Sequence, residues 1–137
     1  MLNKNLFILS VGQIFSFTSP VVSVLLSGII GSSMTDINYL ATLPTALMIV
    51  GTAFGSLIAS KIMKMKGRKF GFSIASIINS LFSLFCAYAI LINSFELFCL
   101  GNLIIGLSVA FAQQYRFAAS ESVEKSNIPK AISLILL

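Results

Sequence analysis

The chain has 137 residues, of which 57% are hydrophobic and only 9% are charged, and its mean hydropathy is +0.99. Soluble domains of this size usually carry charge on about a quarter of their residues, so the composition argues against a soluble globular domain. The net charge of +5 does not indicate a nucleic-acid-binding module, because the basic residues stand between long apolar runs. We therefore expect an integral membrane protein whose partners include the lipid bilayer and no nucleic acid.

Four apolar stretches are long enough to cross a bilayer as helices. A hydrocarbon core of about 30 Å requires about 20 helical residues, and no charged residue stands in the middle of any of these stretches. The connections between them are short, so consecutive spans should be antiparallel neighbours. The expected fold class is all-α, an antiparallel bundle of transmembrane helices in a single membrane domain, 1–137. The predicted spans are residues 6–30, 40–63, 70–92 and 95–119.

Polar and small residues of the first span recur on one helical face. Their spacings of three and four residues put them on a single stripe of the helix. Polar groups in lipid need hydrogen-bond partners, so the stripe should face other helices or a water-filled cavity. Serines are common at helix contacts in membranes, which leaves both alternatives open, and Gln13 favours the cavity. The stripe consists of Gln13, Ser16, Pro20, Ser23 and Ser27.

The second and third spans carry small residues suited to helix packing. Gly51, Gly55 and Ala59 recur at intervals of four, a pattern that lets two helix backbones approach closely, and we predict a packing role for this seam. Pro44 falls one turn inside the predicted second span, where we expect a kink. In the third span, packing is again the favoured role of a small-residue stripe. That stripe consists of Ser73, Ser76, Ser80, Ser83 and Ala87, with Asn79 beside it.

The fourth span has a face of hydrogen-bonding residues that leads to Arg116. Such side chains and a cation are costly near lipid, so this face is a candidate functional site. Arg116 lies near the end of the predicted span, where a long side chain can also simply reach the lipid headgroups. Both roles stay open for it. The face consists of Asn102, Gly106, Ala110 and Gln113.

The sequence offers no constellation for catalysis or metal binding. It has no histidine and no C-x-x-C pair, and no nucleophile stands with a general base. Cys86 and Cys99 fall in the outer halves of spans three and four, where a disulfide is conceivable, but free buried thiols are the commoner state. We expect neither an enzyme nor a cofactor or metal site.

The basic residues indicate how the bundle is oriented. Five of them stand in the segment 61–69, between the second and third spans. If the N-terminus is cytoplasmic, all nine basic residues lie inside, and the outer loops hold only Asp36 and Glu96. The positive-inside rule predicts this bias for short loops, so we expect a multi-pass protein of the cytoplasmic (inner) membrane with a cytoplasmic N-terminus. The basic residues are Lys4, Lys61, Lys64, Lys66, Arg68, Lys69, Arg116, Lys125 and Lys130.

The two ends of the chain suggest further expectations. Lys4 precedes an apolar run as in a signal peptide, but that run has about 25 residues against about 7 to 15 in signal sequences, and no clear A-x-A site follows. Pro129 and Lys130 precede the apolar residues 131–137, as at the start of a new helix. We therefore expect a fifth span to begin at about residue 131 and the chain to be part of a longer protein.

Two stretches of the sequence resemble a known family. The turn Gly67-Arg68-Lys69, followed two helices later by Glu121 at the inner end of the fourth span, resembles the N-terminal part of a major facilitator superfamily transporter. The stretch AQQYRFAASE at 112–121, with PKAIS at 129–133, is similar to one bacterial branch of that superfamily. The resemblance covers essentially the whole chain and implies part of the N-terminal half of the superfamily's fold.

The loop motif of the family runs Gly, three residues, Asp, Arg or Lys, one residue, Gly, Arg, and Arg or Lys. This chain matches it at Gly67, Arg68 and Lys69. It departs from the motif at three positions: Ser60 stands at the first glycine, Lys64 at the aspartate and Met65 at the basic residue that follows it. The helix-dipole latch that the family builds on this aspartate is therefore not expected here.

The resemblance implies a secondary active transporter that moves a small solute by alternating access, with or without a coupling proton or ion. In the family, the loop arginine and an acid at the inner end of the fourth helix form a cytoplasmic charge network, and the matching positions are Arg68 and Glu121, with Gly67 and Lys69 in the same turn. Simple solvated charges at a membrane boundary are the alternative for this network. Family helices one and four line the central cavity. The residues expected in the substrate cavity are Gln13, Ser16, Ser23, Asn102, Gln113 and Arg116.

Two other functions are compatible with four spans. One is a complete four-helix protein that dimerises, as small multidrug exporters do, but those carry an essential glutamate in the first helix and this first span has no acid. The other is a non-transporting membrane scaffold or assembly subunit, in which the serine stripes only pack. Under the transporter interpretation the chain lacks the C-terminal part of the protein and would not transport alone.

Overall fold

The computed structural model describes residues 4–35 and 37–114, except for the side chains of residues 4–10, 13, 15–17, 19 and 38. Most of these residues are helical, and none of them belongs to a β-strand. The chain is an all-α bundle of transmembrane helices, which confirms the fold class expected from the sequence. Its elements are α1 (Lys4–Met34), a short 3-10 helix (Asn38–Leu40), α2 (Leu43–Lys66), α3 (Arg68–Leu91) and α4 (Phe95–Ala112).

Helices α2, α3 and α4 are each long and apolar enough to cross a membrane. At about 1.5 Å per residue, the 24 residues of α2 extend over about 36 Å and the 18 residues of α4 over about 27 Å. These lengths are close to the hydrocarbon thickness of about 30 Å. The first helix, α1, has 31 residues, and its described apolar stretch is Pro20–Met34. The predicted first span stays a prediction.

Helix α4 is the central helix of the described bundle. Of its most apolar stretch 56% is buried inside the protein, against 28% for α2 and 17% for α3. The outer faces of α1, α2 and α3 present large aliphatic side chains such as Leu25, Leu57 and Leu84. Outward-facing aliphatic side chains of this kind are stable against lipid or against further helices. The bundle is therefore organised around α4, with apolar faces directed outward.

Small residues let α2 and α4 pack backbone to backbone. A Cβ added at Gly51 would collide with the carbonyl oxygen of Leu103, and a Cβ added at Gly106 would collide with that of Met48. No side chain larger than hydrogen fits at these two crossing points. The packing role predicted for the seam of the second span is thereby confirmed. Its residues Gly51, Gly55 and Ala59 are all buried.

A single residue, Gly67, connects α2 and α3. Its φ of 86° and ψ of 158° lie in a region that is open essentially only to glycine. The Gly67 N–H donates to the Met63 carbonyl oxygen at 3.1 Å, and the Gly67 carbonyl accepts from the Gly71 N–H at 3.2 Å. The same residue thus ends one helix and begins the next. Lys66 lies over this turn, with its Nζ 5.0 Å from the centroid of the Phe70 ring.

The turn between α3 and α4 uses asparagine in place of glycine. Asn93 has a φ of 52°, a left-handed conformation that asparagine adopts more readily than most residues. Its N–H donates to the Ile90 carbonyl oxygen at 3.0 Å, and the Ser94 N–H donates to that of Ala89 at 2.9 Å. These two bonds form a Schellman motif, which satisfies the last carbonyls of α3 and reverses the chain.

The kink expected at Pro44 is wrong. Helix α2 begins at Leu43, so Pro44 lies in its first turn. A proline there removes no intrahelical hydrogen bond, and its fixed φ suits a helix start. The apolar residues before Pro44 led to a predicted span that starts too early, because Leu40 belongs to the 3-10 helix and not to α2.

Candidate functional site

Several serine and threonine hydroxyls need no partner outside their own helix. They donate to the carbonyl oxygen three or four residues earlier, at distances of 2.7 to 3.0 Å. This local bond satisfies the hydroxyl without any neighbouring helix. A stripe of serines therefore does not by itself indicate a binding site. The residues with such bonds are Thr18, Ser32, Ser33, Thr52, Ser56, Ser60 and Ser76.

Ser27 differs from these residues, because its hydroxyl donates to another helix. Its Oγ lies 3.1 Å from Oδ1 of Asn102 on α4, and Nδ2 of Asn102 donates to the Phe98 carbonyl oxygen at 2.9 Å. Ser27 is 1% exposed and Asn102 is 2% exposed. Buried polar groups in a membrane protein persist where they have partners, so this pair fixes α1 to α4 and orients the Asn102 amide.

A cavity of about 170 Å³ adjoins this pair, between α1, α3 and α4. Its polar lining comes from Ser23, Ser27, Ser83 and Asn102, and the rest of its wall is mainly apolar. Ser23 is half-buried and lies one helical turn before Ser27. The structure thus brings Ser23 and Asn102, predicted from separate helices, to the same cavity. Their role in solute binding stays a prediction.

The other predicted cavity residues lie elsewhere or outside the described part. Gln113 is half-buried and caps the C-terminus of α4. It stands eleven residues after Asn102, which corresponds to about 16 Å along a helix, so the structure does not bring these two together. Gln13 and Ser16 belong to α1, but their side chains are outside the described part, as is the whole of Arg116.

Arg68 ties the turn between α2 and α3 to the end of α4. Its Nη1 donates to the carbonyl oxygen of Gln114 at 3.3 Å, and the residue is half-buried. Carbonyls at a helix C-terminus carry partial negative charge and stabilise a nearby cation. Arg68 is also the first residue of α3, where the dipole of its own helix disfavours a cation, so its favourable helix-end contact is with α4. Its predicted partner Glu121 lies outside the described residues.

A cleft of about 250 Å³ opens beside Arg68, at the end of the bundle where α2 ends and α3 begins. We call it the basic cleft. Ser60 and Lys64 are four residues apart and therefore lie on the same face of α2. Neither residue was predicted as a site residue, although their four-residue spacing and the position of Arg68 in the same loop motif could have indicated the site. Lys69 is exposed and lies outside the cleft lining. The lining consists of Ser60, Met63, Lys64, Arg68 and Gln114.

A second polar contact between helices was also not predicted from the sequence. The Ser108 hydroxyl donates to the Ile105 carbonyl oxygen at 2.7 Å and lies 3.4 Å from Oδ1 of Asn79 on α3. A cavity of about 60 Å³ adjoins it. The signal was Asn79, the amide beside the serine stripe of the third span. Among cysteines, Cys86 and Cys99 are buried free thiols.

The amino-acid sequence matches a known protein family. A family model described as sugar (and other) transporter matches residues 5–115. The chain belongs to the major facilitator superfamily. The family resemblance inferred from the sequence is therefore confirmed. No solved structure gives a significant match.

The superfamily relatives similar to the chain bear transporter names. Over 134 residues, 98% of the chain, it is 31% identical to the riboflavin transporter RfnT of Brucella anthropi and covers 34% of that protein. It is 28% identical over 134 residues to YdeG and to YddS of Bacillus subtilis, each named an uncharacterised MFS-type transporter, and covers 31% of each. The chain thus spans about a third of the length of these curated relatives.

Proposed function

We propose that the chain is part of a secondary active transporter that moves a small solute across the cytoplasmic (inner) membrane by alternating access. The observation that carries the proposal is the family match over residues 5–115. Superfamily transporters work by rocking two helical halves around a central solute site. Because the chain spans about a third of its relatives, transport is proposed for the whole protein, with the C-terminal helices as a necessary partner.

The proposed orientation puts the N-terminus of α1 in the cytoplasm. The basic segment 61–69 lies where α2 ends and α3 begins, and the end of α4 lies at the same level because Arg68 reaches Gln114. Glu96 is in the first turn of α4, at the opposite end of that helix. By the positive-inside rule, the end that carries segment 61–69 is cytoplasmic.

Arg68 would act as a gate residue at this cytoplasmic end. Its bond to the Gln114 carbonyl supports this role, because it joins the α2–α3 turn to α4. A hydrogen bond from a half-exposed cation contributes about 1 kcal/mol, and pairing with Glu121 would add a similar amount. One kcal/mol changes the ratio of two conformations about fivefold, which is enough to bias states that differ by a few kcal/mol. Gly67 would hold the turn and Lys69 would add to the charge network.

The proposed solute path runs along the facing sides of α1 and α4. Ser23 and Asn102 support it by lining one cavity, with the bond from Ser27 holding the Asn102 amide in place. Gln13, Ser16, Gln113 and Arg116 would extend this lining toward the cytoplasm. The first solute to assay is riboflavin, because the relative RfnT is named a riboflavin transporter. Coupling to a proton or ion would use Glu121 or an acid elsewhere in the whole protein.

Cysteine accessibility tests the proposal. In the full-length protein with Cys86 and Cys99 replaced by alanine, single cysteines at Gln13, Ser16 and Ser23 should react with a water-soluble thiol reagent. A transported solute should slow this reaction. Complete protection of all three positions would instead favour the scaffold alternative.

Leu25→Cys is the matched control for these variants. Leu25 lies on α1, two residues from Ser23, and is 66% exposed on the apolar outer face. It should resist the water-soluble reagent and react with a membrane-soluble maleimide. If Leu25→Cys reacts with the water-soluble reagent as fast as Ser23→Cys, the side of α1 assigned to the cavity is incorrect.

A further inference from the structure

The basic cleft concentrates positive charge beyond what orientation requires. Of the five described residues that line it, four are polar, two of these are the cations Lys64 and Arg68, and none is acidic. Lys64 is exposed, and it stands where the family motif has an aspartate. Two like charges that face one cleft repel each other, so an anion between them would be stabilised by both.

The cleft lies at the level of the lipid headgroups. The 24 residues of α2 extend over about 36 Å, about four residues more than a hydrocarbon core of about 30 Å requires. Lys64 and Lys66 lie in the last turn of α2, and Arg68 begins α3. The cleft therefore opens where phospholipid phosphates lie, while the apolar outer faces of α2 and α3 lie below it against acyl chains.

We propose that the basic cleft binds the phosphate group of an anionic phospholipid between Lys64 and Arg68. The ammonium of Lys64 supplies a point charge with three donors, and the guanidinium fork of Arg68 suits phosphate oxygens. Its planar fork of five N–H donors can serve several acceptors at once, the Gln114 carbonyl among them. The cleft volume of about 250 Å³ is about eight times the ~30 Å³ of a water molecule, which gives room for a phosphate group.

Such a lipid would connect the membrane to the α2–α3 turn. Arg68 would then contact both the lipid phosphate and the end of α4. The amount of anionic lipid in the leaflet would therefore influence the contact between the α2–α3 turn and α4. Diffuse attraction of segment 61–69 to an anionic leaflet is a different effect, because it depends on total charge and not on position. The two are separable by comparing lysines inside and outside the cleft.

Retention of phosphatidylglycerol by the full-length protein tests the site. Protein purified in neutral detergent with phosphatidylglycerol is examined by native mass spectrometry at raised ionic strength, where attraction between exposed charges is screened. Lys64→Gln should lower lipid retention about tenfold or more, since it removes a hydrogen bond to a charged group. Lys64→Arg should retain the lipid. The matched control is Lys61→Gln, which removes the same charge three residues earlier on α2 from an exposed lysine outside the cleft lining, and it should have little effect.

Two results would overturn the proposal. Equal losses for Lys64→Gln and Lys61→Gln would show diffuse attraction without a site. Inorganic phosphate alone is the second probe. If it raises the thermal stability of lipid-free protein in a Lys64-dependent manner, and if phosphatidylglycerol retention does not depend on Lys64, the cleft binds a soluble anion and not a lipid.

Discussion

Replacement of Gly106 by alanine should destabilise the bundle by forcing α2 and α4 apart. The added Cβ would collide with the Met48 carbonyl oxygen and lie 3.0 Å from the Thr52 nitrogen. Both are backbone atoms of α2, so neither can move aside as the end of a flexible side chain can. Overpacking of this kind costs about 1–3 kcal/mol. The ratio of folded to unfolded protein should therefore fall by between about fivefold and a hundredfold.

Gly28→Ala is the matched control for this change. A Cβ at Gly28 meets no atom within 4 Å, and alanine is the better helix former by about 1 kcal/mol. This variant should be neutral or more stable than the wild type. The assay is unfolding of the full-length protein by dodecyl sulfate in mixed micelles, monitored by circular dichroism. Equal midpoints for Gly106→Ala and the wild type would refute the close crossing of α2 and α4.

Three further changes test the remaining contacts. In a double-mutant cycle measured by the same unfolding assay, Ser27→Ala and Asn102→Ala should show a coupling energy of about 0.6 kcal/mol and at most about 1.7 kcal/mol. Additive effects of the two substitutions would contradict the hydrogen bond between these residues. Gly67→Ala should cost about 1–3 kcal/mol because its conformation suits only glycine, while Lys66→Ala, one residue earlier, should cost less than 1 kcal/mol. Exchange of Arg68 and Glu121 should restore part of the solute uptake that either single reversal removes, and no recovery in the double variant would count against direct pairing.

Local patterns predicted much of the helix packing. The four-residue spacing of Gly51 and Gly55 indicated a close backbone approach because packing of two helices needs small residues on one face. The gap of two residues, Asn93 and Ser94, between the predicted third and fourth spans indicated that these spans are antiparallel neighbours, because so few residues separate two long apolar runs. Pro44 shows the limit of such patterns, since the apolar run does not reveal where the helix starts inside it.

The sequence could not predict which residues of different helices contact each other. Ser27 belonged to the stripe of the first span and Asn102 to the face of the fourth, but periodicity gives only the face of each helix and not which residues meet across it. The same holds for Arg68, because its contact with Gln114 depends on how far α4 extends toward the α2–α3 turn. The basic cleft needs three chain segments at once, and no spacing within one helix could predict it.

Sidedness of the two ends of α2 tests the central claim most directly. Met65 is 73% exposed next to the basic turn, and Tyr39 is 79% exposed just before α2. In the full-length protein with Cys86 and Cys99 replaced by alanine, Met65→Cys should react with a membrane-impermeant thiol reagent only in inverted vesicles, and Tyr39→Cys only in right-side-out vesicles. Reaction of Met65→Cys from the outside, or of both cysteines from the same side, would contradict a membrane-spanning α2 with its basic end in the cytoplasm.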